Sequence, residues 1–167
     1  LLGATIVKEL QSIVSRQLNP LKPAVVTVGT LHAGNTFNVI ADQATLTGTV
    51  RTFNEATADE IIERMEQTIK GICQAVGATY QFTYEKGYPA VVNHAVPTVL
   101  IESVAREILG DKHVFEIEPT MGGEDFAYYL QHVPGAFFFT GAGDASYPPH
   151  HHPQFDFKEP AMLDAAR

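Results

Sequence analysis

The stretch TADEIIERMEQTIKGICQAVG, residues 57–77, carries the clearest helical pattern in the sequence. Thr57 and Glu60 have the spacing of a capping box, acidic residues occupy the first turn, and Gly77 is the kind of residue that ends a helix. Apolar residues recur between them at three- and four-residue intervals, which predicts an amphipathic helix with one face on a core. These residues are Ile61, Ile62, Met65, Ile69, Ile72 and Val76.

Elements on both sides of this helix place it in a larger unit. Residues 3–18 have helical apolar spacing, residues 24–31 and 43–53 read as strands, and residues 78–84 alternate as a third strand. The predicted order is α-β-β-α-β. One further strand before the first helix would complete β-α-β-β-α-β, the ferredoxin-like split sandwich. A domain boundary is predicted near Tyr88, where Pro and Gly break the pattern.

The remainder of the chain alternates helices with short strands, which is typical of a layered α/β domain. The two predicted strands cannot form a complete sheet that is covered by helices on both faces, so this domain is predicted to be incomplete. Since a strand is also missing at the front, we expect the chain to be a fragment. The predicted helices are 96–109, 124–132 and one from Glu159, and the predicted strands are 114–117 and 136–140.

Composition excludes several classes of function. Eleven Lys and Arg against nineteen Asp and Glu give a net charge of −8, which disfavours a grip on nucleic-acid phosphates. No apolar run approaches the roughly 20 residues of a membrane span. The single cysteine, Cys73, excludes an internal disulfide and a cysteine-built zinc site, and its place on the apolar side of a helix predicts an inert core thiol. We therefore expect a cytoplasmic protein.

Three consecutive histidines, His150, His151 and His152, precede Pro153 in a polar loop. Neutral imidazole is the commonest metal ligand among side chains, so the run is a candidate metal site. If the segment is extended, successive side chains point to opposite sides, and at most two rings face one ion. The alternative is a solvated loop with no ligand, because catalytic zinc needs three protein ligands and no second cluster is visible.

Two other groups are candidate binding residues. Gly122 and Gly123 precede a predicted helix, so their free amides favour a carboxylate or oxyanion. The alternative, which local sequence alone favours, is a simple capped helix whose acidic residues complement the helix dipole. Asn38 lies in a Gly/Asn-rich bend and Arg51 near the end of the following strand. A guanidinium fork suits a carboxylate, and an amide can donate to one. The alternative is a turn asparagine and a surface ion pair.

Five ordered motifs make the chain similar to a known group of proteins over nearly its whole length. It resembles the C-terminal half of the zinc-type amidohydrolases that cleave N-acyl amino acids, which include hippurate hydrolases, N-acetyl-amino-acid deacylases and auxin-conjugate hydrolases, relatives of aminoacylases and metallo-carboxypeptidases. The motifs are Val26-Thr27-Val28-Gly29 with Asn38-Val39-Ile40-Ala41, Gly48-Thr49-Val50-Arg51-Thr52-Phe53, Met121-Gly122-Gly123-Glu124-Asp125-Phe126, Pro134-Gly135-Ala136-Phe137-Phe138 and His151-His152-Pro153-Gln154-Phe155-Asp156.

The resemblance implies a fold and a reaction. Residues 1–88 would be most of a ferredoxin-like lid and dimerisation domain, and residues 89–167 the closing part of a zinc-peptidase-like α/β catalytic domain. The parent protein would hydrolyse the amide bond of N-acyl amino acids or similar peptide-like substrates, using a divalent metal, zinc first and manganese or nickel as alternatives. A metal-bound water activated by a glutamate would attack the acyl carbon. A homodimer through the lid is expected.

The resemblance also assigns residues. The family's last metal ligand falls on His151, with His150 or His152 as the choice if the register slips. Asn38 and Arg51 would contact the substrate carboxylate, and Gly122 and Gly123 would line the same pocket.

The sequence also departs from the family pattern. Ala41 stands where proline is usual. By the resemblance, the general base and the other metal ligands would belong to a half of the protein outside this sequence, so no catalytic residue is assigned and the fragment is expected to be inactive alone. The competing interpretation is a non-catalytic dimerisation module, since unpaired strand edges find partners.

Overall fold

The computed structural model describes residues 1–166 and divides the chain into two compact units. The first contains residues 1–90 together with 120–124, and the second contains residues 91–119 and the chain from Asp125 onward. The architecture is mixed α/β with a two-stranded sheet. Its α-helices and strands are α1 (Leu2–Ser12), β1 (Ala24–Ala33), β2 (Ala44–Thr52), α2 (Glu55–Val76), α3 (Ala95–Leu109), α4 (Phe126–Leu130) and α5 (Pro160–Ala166). A short π-helix, Ile13–Gln17, continues α1, and a 3-10 turn, Asp111–His113, follows α3.

The core of the first unit forms where α1 and α2 pack on one face of the β1–β2 hairpin. The antiparallel hairpin pairs Val26 with Val50 and Val25 with Arg51, so alternate residues face the helices or face away from them. Val26 is buried and Val50 half-buried, whereas Arg51 is exposed on the opposite face. The buried core residues are Ile6, Leu10, Ile13, Leu18, Val26, Ile61 and Cys73.

Both ends of the helix predicted from residues 57–77 are defined by local chemistry. Gly77 adopts φ +71°, and its N–H donates to the carbonyls of the last turn, which confirms the predicted end. The start is earlier than predicted, because the Asn54 side chain accepts from the Thr57 N–H at 2.8 Å and takes the role assigned to Thr57. Cys73 is 2% exposed, as predicted for a core thiol.

Three predicted strands are wrong within residues 1–166. The segments 78–84, 114–117 and 136–140 belong to no ladder. A strand is stable only when its N–H and C=O groups pair with a neighbouring strand, and alternation along one segment does not supply that neighbour. The helix predicted over 124–132 is also wrong at both ends, because α4 spans only Phe126–Leu130 and is bounded by single turns.

The second unit has little buried apolar surface among the described residues. Helix α3 has no buried residue, and Ala127 and Leu130 of α4 are the buried hydrophobic residues in this part of the described chain. Aromatic rings supply further contacts, with Phe126 5.6 Å from Phe137 and Phe137 5.3 Å from Phe139 between ring centroids. No helix within residues 1–166 is long and apolar enough to cross a membrane.

Replacing Thr57 with valine should raise the free energy of unfolding. Thr57 is 1% exposed and its hydroxyl has no hydrogen-bond partner among the described residues. A buried unsatisfied polar group costs about 1–3 kcal/mol, and valine has nearly the same shape, so a gain on the order of 1 kcal/mol is expected in urea unfolding. Thr57→Ser keeps the hydroxyl and loses the methyl group. It should therefore destabilise, and a destabilised Thr57→Val would contradict this account.

Candidate functional site

Arg51 lies one residue before the end of β2 and projects from the face of the hairpin that the helices leave open. Its Nη1 donates to the main-chain carbonyl of Met121 at 2.6 Å, across 70 residues of sequence. The guanidinium is exposed, and its other N–H groups have no partner among the described residues. One N–H is thus committed to the main chain, and a planar donor edge remains open to an anion.

The two glycines of the candidate site follow this carbonyl directly. A Cβ on Gly123 would lie 3.4 Å from Tyr88 Cδ2, and one on Gly122 would lie 3.8 Å from Thr120 Oγ1, so both positions have room for a side chain. Their backbone is therefore accessible from outside. The predicted position at a helix N-terminus is wrong, because α4 begins only at Phe126 and two non-helical residues separate it from Gly123.

Asn38 lies in the loop that joins β1 and β2 and is exposed. Its Oδ1 accepts from the Thr36 hydroxyl at 3.1 Å, a local contact within the loop. The loop begins and ends at the Ala33–Ala44 pair, whereas Arg51 pairs with Val25 at the other end of the hairpin. At about 3.3 Å per residue, these two ends are roughly 23 Å apart. The structure brings Arg51 to the glycine segment and does not bring Asn38 there.

The three consecutive histidines differ in what their rings contact. His150 packs on Phe155 with ring centroids 5.1 Å apart. His152 Nδ1 accepts from the Gln154 N–H at 3.1 Å, which places the proton of the neutral ring on Nε2. His151 makes no hydrogen bond or ring contact with any described residue. The ring nitrogens of His150 and His151 are thus both open to a ligand, and His151 is the one of the three whose ring contacts no other described residue.

The histidine segment is turned and not extended, so the predicted alternation of its side chains is wrong. His151 has φ +67° and is the one non-glycine residue with positive φ in the described chain. Turns occupy residues 150–151 and 153–154. A left-handed non-glycine residue is uncommon and costs on the order of 1 kcal/mol or more, although histidine tolerates it better than most. His151 is exposed in this turned segment.

An ion pair joins the two ends of the loop that carries the histidines, residues 144–158. Lys158 Nζ lies 2.8 Å from Asp144 Oδ2, and the Lys158 N–H donates to the Ala142 carbonyl at 2.7 Å. The Lys158 ammonium, followed by the Ser146 hydroxyl and N–H, lowers the pKa of Asp144 well below its usual range. The loop lines a solvent-open pocket with a volume of about 310 Å³. Its lining includes Asp144, Tyr147, His150, Phe155 and Asp156.

Substituting Lys158 with methionine should raise the pKa of Asp144 toward the ordinary aspartate value of about 3.9. Because the folded-state pKa is lowered, the pair stabilises the loop above about pH 4 and loses this effect only as the pH falls through the folded pKa. We expect no loosening of the loop between pH 7 and pH 5. A carbon-detected NMR titration of the Asp144 carboxyl measures the shift. Lys70→Met is the control, and an unchanged Asp144 titration in Lys158→Met would refute the pairing.

The side chains of the described residues could supply one ligand to a metal site, but they do not make up a complete site. Within residues 1–166, no three His, Cys, Asp or Glu side chains are grouped to hold an ion. Catalytic zinc needs three protein ligands, so this part of the chain cannot form such a centre alone.

Sequence reasoning missed one cluster in the second unit. The Asn93 side chain donates to the Phe137 carbonyl at 2.8 Å and accepts from the Phe137 N–H at 2.7 Å, as a neighbouring strand would. The His94 N–H donates to the Gly135 carbonyl at 3.0 Å, and His94 precedes α3 as its N-cap. An Asn-His pair before a helix was the available signal. The cluster fixes the segment predicted as a strand at 136–140.

The chain belongs to peptidase family M20/M25/M40, whose sequence profile matches residues 4–167. It is 53% identical over 171 residues to the protein YhaA of Bacillus subtilis (strain 168), covering 100% of this chain and 43% of YhaA. It is 36% identical to the N-acetyl-L-cysteine deacetylase of that organism, covering 99% of this chain and 39% of the enzyme. The crystal structure of Bacillus subtilis YXEP, described as a dinuclear metal binding peptidase from the M20 family, matches with a TM-score of 0.72 at 30% identity.

These similarities extend over most of this chain but less than half of each relative. The match to YXEP covers 99% of this chain and 42% of that structure, and the match to YhaA covers 43% of that protein. The family is therefore established for these residues, which span less than half the length of the curated relatives.

Proposed function

We propose that the protein to which this chain belongs hydrolyses the amide bond of N-acyl amino acids with the help of a divalent metal. The observation that carries this proposal is Arg51, an exposed guanidinium held at 2.6 Å on the carbonyl that precedes the two glycines. In a chain of net charge −8, a fixed cation beside an accessible backbone suits a small anion such as an amino acid carboxylate. The relationship to an N-acetyl-L-cysteine deacetylase supports the same substrate class.

Arg51 binds the substrate carboxylate through the open edge of its fork in this proposal. Gly122 and Gly123 line the pocket, because the absence of side chains lets a ligand approach their backbone. The fixed carboxylate then orients the acyl amide for attack, and orientation of this kind lowers the barrier without direct participation in the chemistry. The reacting groups and the general base belong to residues other than these.

Asn38 is proposed as a second substrate contact. Within one chain it lies at the opposite end of the hairpin from Arg51, so the two residues cannot bind the same carboxylate. Since roughly 23 Å separate the two ends of the hairpin, a ligand on Arg51 and a ligand on Asn38 occupy different places in one chain. A homodimer through residues 1–88, proposed as the lid and dimerisation domain, allows Asn38 to serve the site of the partner copy. Both hairpin edges outside the β1–β2 ladder are unpaired within residues 1–166, and such edges favour association.

His151 is proposed as one metal ligand, contributed by residues 89–167 as the closing part of the catalytic domain. Its ring is exposed and contacts no other described residue, and its backbone is left-handed. Zinc is the first candidate, with manganese and nickel as alternatives, and the remaining ligands come from residues outside 1–166. A ferredoxin-like fold for the complete lid and a cytoplasmic location belong to the same proposal.

Amine release from N-acetyl amino acids tests the function directly. The isolated chain and a full-length protein that contains it are each incubated with N-acetyl-L-amino acids and zinc, manganese or nickel. We expect release by the full-length protein and none by the isolated chain. A metal-loaded full-length protein that releases no amine from any of these substrates would refute the proposal. A dimeric protein that shows no hydrolysis would favour the alternative, a non-catalytic dimerisation module.

A further inference from the structure

The segment 120–124 is unusual because it belongs to the first unit while the chain on both sides of it belongs to the second. It contains neither helix nor strand. The Arg51 hydrogen bond reaches its Met121 carbonyl, and Tyr88 lies close to its Gly123. A segment without regular structure takes its position from such side-chain contacts, and a charged donor makes the stronger kind of hydrogen bond.

Arg51 is well placed to impose a position on this segment. It sits inside the β1–β2 ladder opposite Val25, so its Cα is fixed by the hairpin. The side chain leaves the face opposite the core and ends 2.6 Å from the Met121 oxygen. Two glycines follow that carbonyl, and their lack of side chains means that they contribute little packing of their own to hold the segment.

We propose that Arg51 is a positioning residue, which holds the segment 121–123 against the end of the hairpin as well as offering its open edge to a carboxylate. Loss of the guanidinium then displaces this segment and does not merely remove a positive charge. The kinetic consequence rests on the proposed function, whereas the position of the segment does not. Lysine at this place still reaches a carbonyl as a point-charge donor, but it lacks the planar fork.

Methionine methyl NMR on the isolated chain tests the positioning role without any activity. The chain has three methionines, and Met65 in α2 and Met162 in α5 serve as internal references for Met121. We expect Arg51→Ala to move and sharpen the Met121 signal while Met65 and Met162 stay in place. Arg51→Lys should keep Met121 near its original position. Arg16→Ala, another exposed arginine, should change none of the three.

An unchanged Met121 signal in Arg51→Ala would overturn the proposal. If Arg51→Ala unfolds the chain, the Met65 signal collapses as well, and Arg51→Leu then decides by the same criterion because it keeps a large side chain without a hydrogen-bond donor. A Met121 signal that moves in Arg51→Leu with Met65 unchanged supports the positioning role, and one that does not move refutes it.

Paired substrates in the full-length protein separate positioning from carboxylate binding. An N-acetyl amino acid is compared with its α-amide, which lacks the carboxylate. A residue that only binds the carboxylate would leave the α-amide kinetics of Arg51→Ala unchanged, and that result would count against positioning. We expect kcat to fall about 10-fold or more for both substrates, with Arg51→Lys restoring kcat for the α-amide. Absence of hydrolysis in the unsubstituted protein would refute the proposed function and leave the NMR result standing.

Discussion

Replacing Gly48 with alanine is expected to lower the free energy of unfolding of this chain by about 1–3 kcal/mol. Gly48 lies in β2 opposite Val28, beside the bulge that follows Val28 in β1. A Cβ there would overlap the Thr27 carbonyl oxygen and lie 3.2 Å from both the Thr27 carbonyl carbon and Val28 Cα. All three are backbone atoms of the partner strand, so relief requires the two strands to separate. Urea unfolding followed by circular dichroism measures the change.

Gly71 supplies the matched control for this substitution. It lies within α2, and a Cβ at Gly71 meets nothing within 4 Å. Glycine in a helix interior is less favourable than alanine by roughly 0.5–1 kcal/mol, so Gly71→Ala should stabilise the chain. Opposite signs for the two glycine substitutions are the expected result. Equal stability of Gly48→Ala and the unsubstituted chain would show that the hairpin tolerates a side chain at that position.

Replacing His151 with alanine is expected to lower the metal affinity of the full-length protein at least 10–100-fold, since changes to groups that merely support a ligand already cost that much. His150→Ala and His152→Ala are the matched controls, because their rings engage Phe155 and the Gln154 N–H instead. Metal content after dialysis against graded free zinc measures the affinity. Stoichiometric zinc in His151→Ala, or a larger loss of affinity in either control, would show that His151 is not the metal ligand.

The elements of the first unit were largely predictable, because each depends on local pattern. The apolar spacing of α2 and the glycine at its end are short-range signals, and the alternation in β1 and β2 matches a hairpin with one buried face. The segment 78–84 alternates just as well and yet forms no ladder in residues 1–166. Pairing depends on a neighbouring strand that is distant in sequence, and the alternating pattern carries no information about it.

The candidate site was predictable in its residue types but not in its arrangement. Guanidinium and imidazole chemistry mark Arg51 and the three histidines as candidates, and the choice of His151 among them comes from the family resemblance. The hydrogen bond from Arg51 to Met121 joins residues 70 apart in sequence and ends on a main-chain oxygen, so no pattern of side chains predicts it. The left-handed backbone of His151 is equally invisible, because histidine is not a residue that requires positive φ. The separation of Asn38 from Arg51 follows only once the ladder register is known.

Anomalous diffraction from zinc-bound crystals of the full-length protein tests the central claim most directly, namely that this chain delivers one imidazole to a metal held also by residues outside 1–166. The account predicts an anomalous peak with one nitrogen of His151 at about 2.0–2.1 Å, together with ligands from elsewhere in the protein. A zinc peak whose complete set of ligands excludes His151 would contradict it.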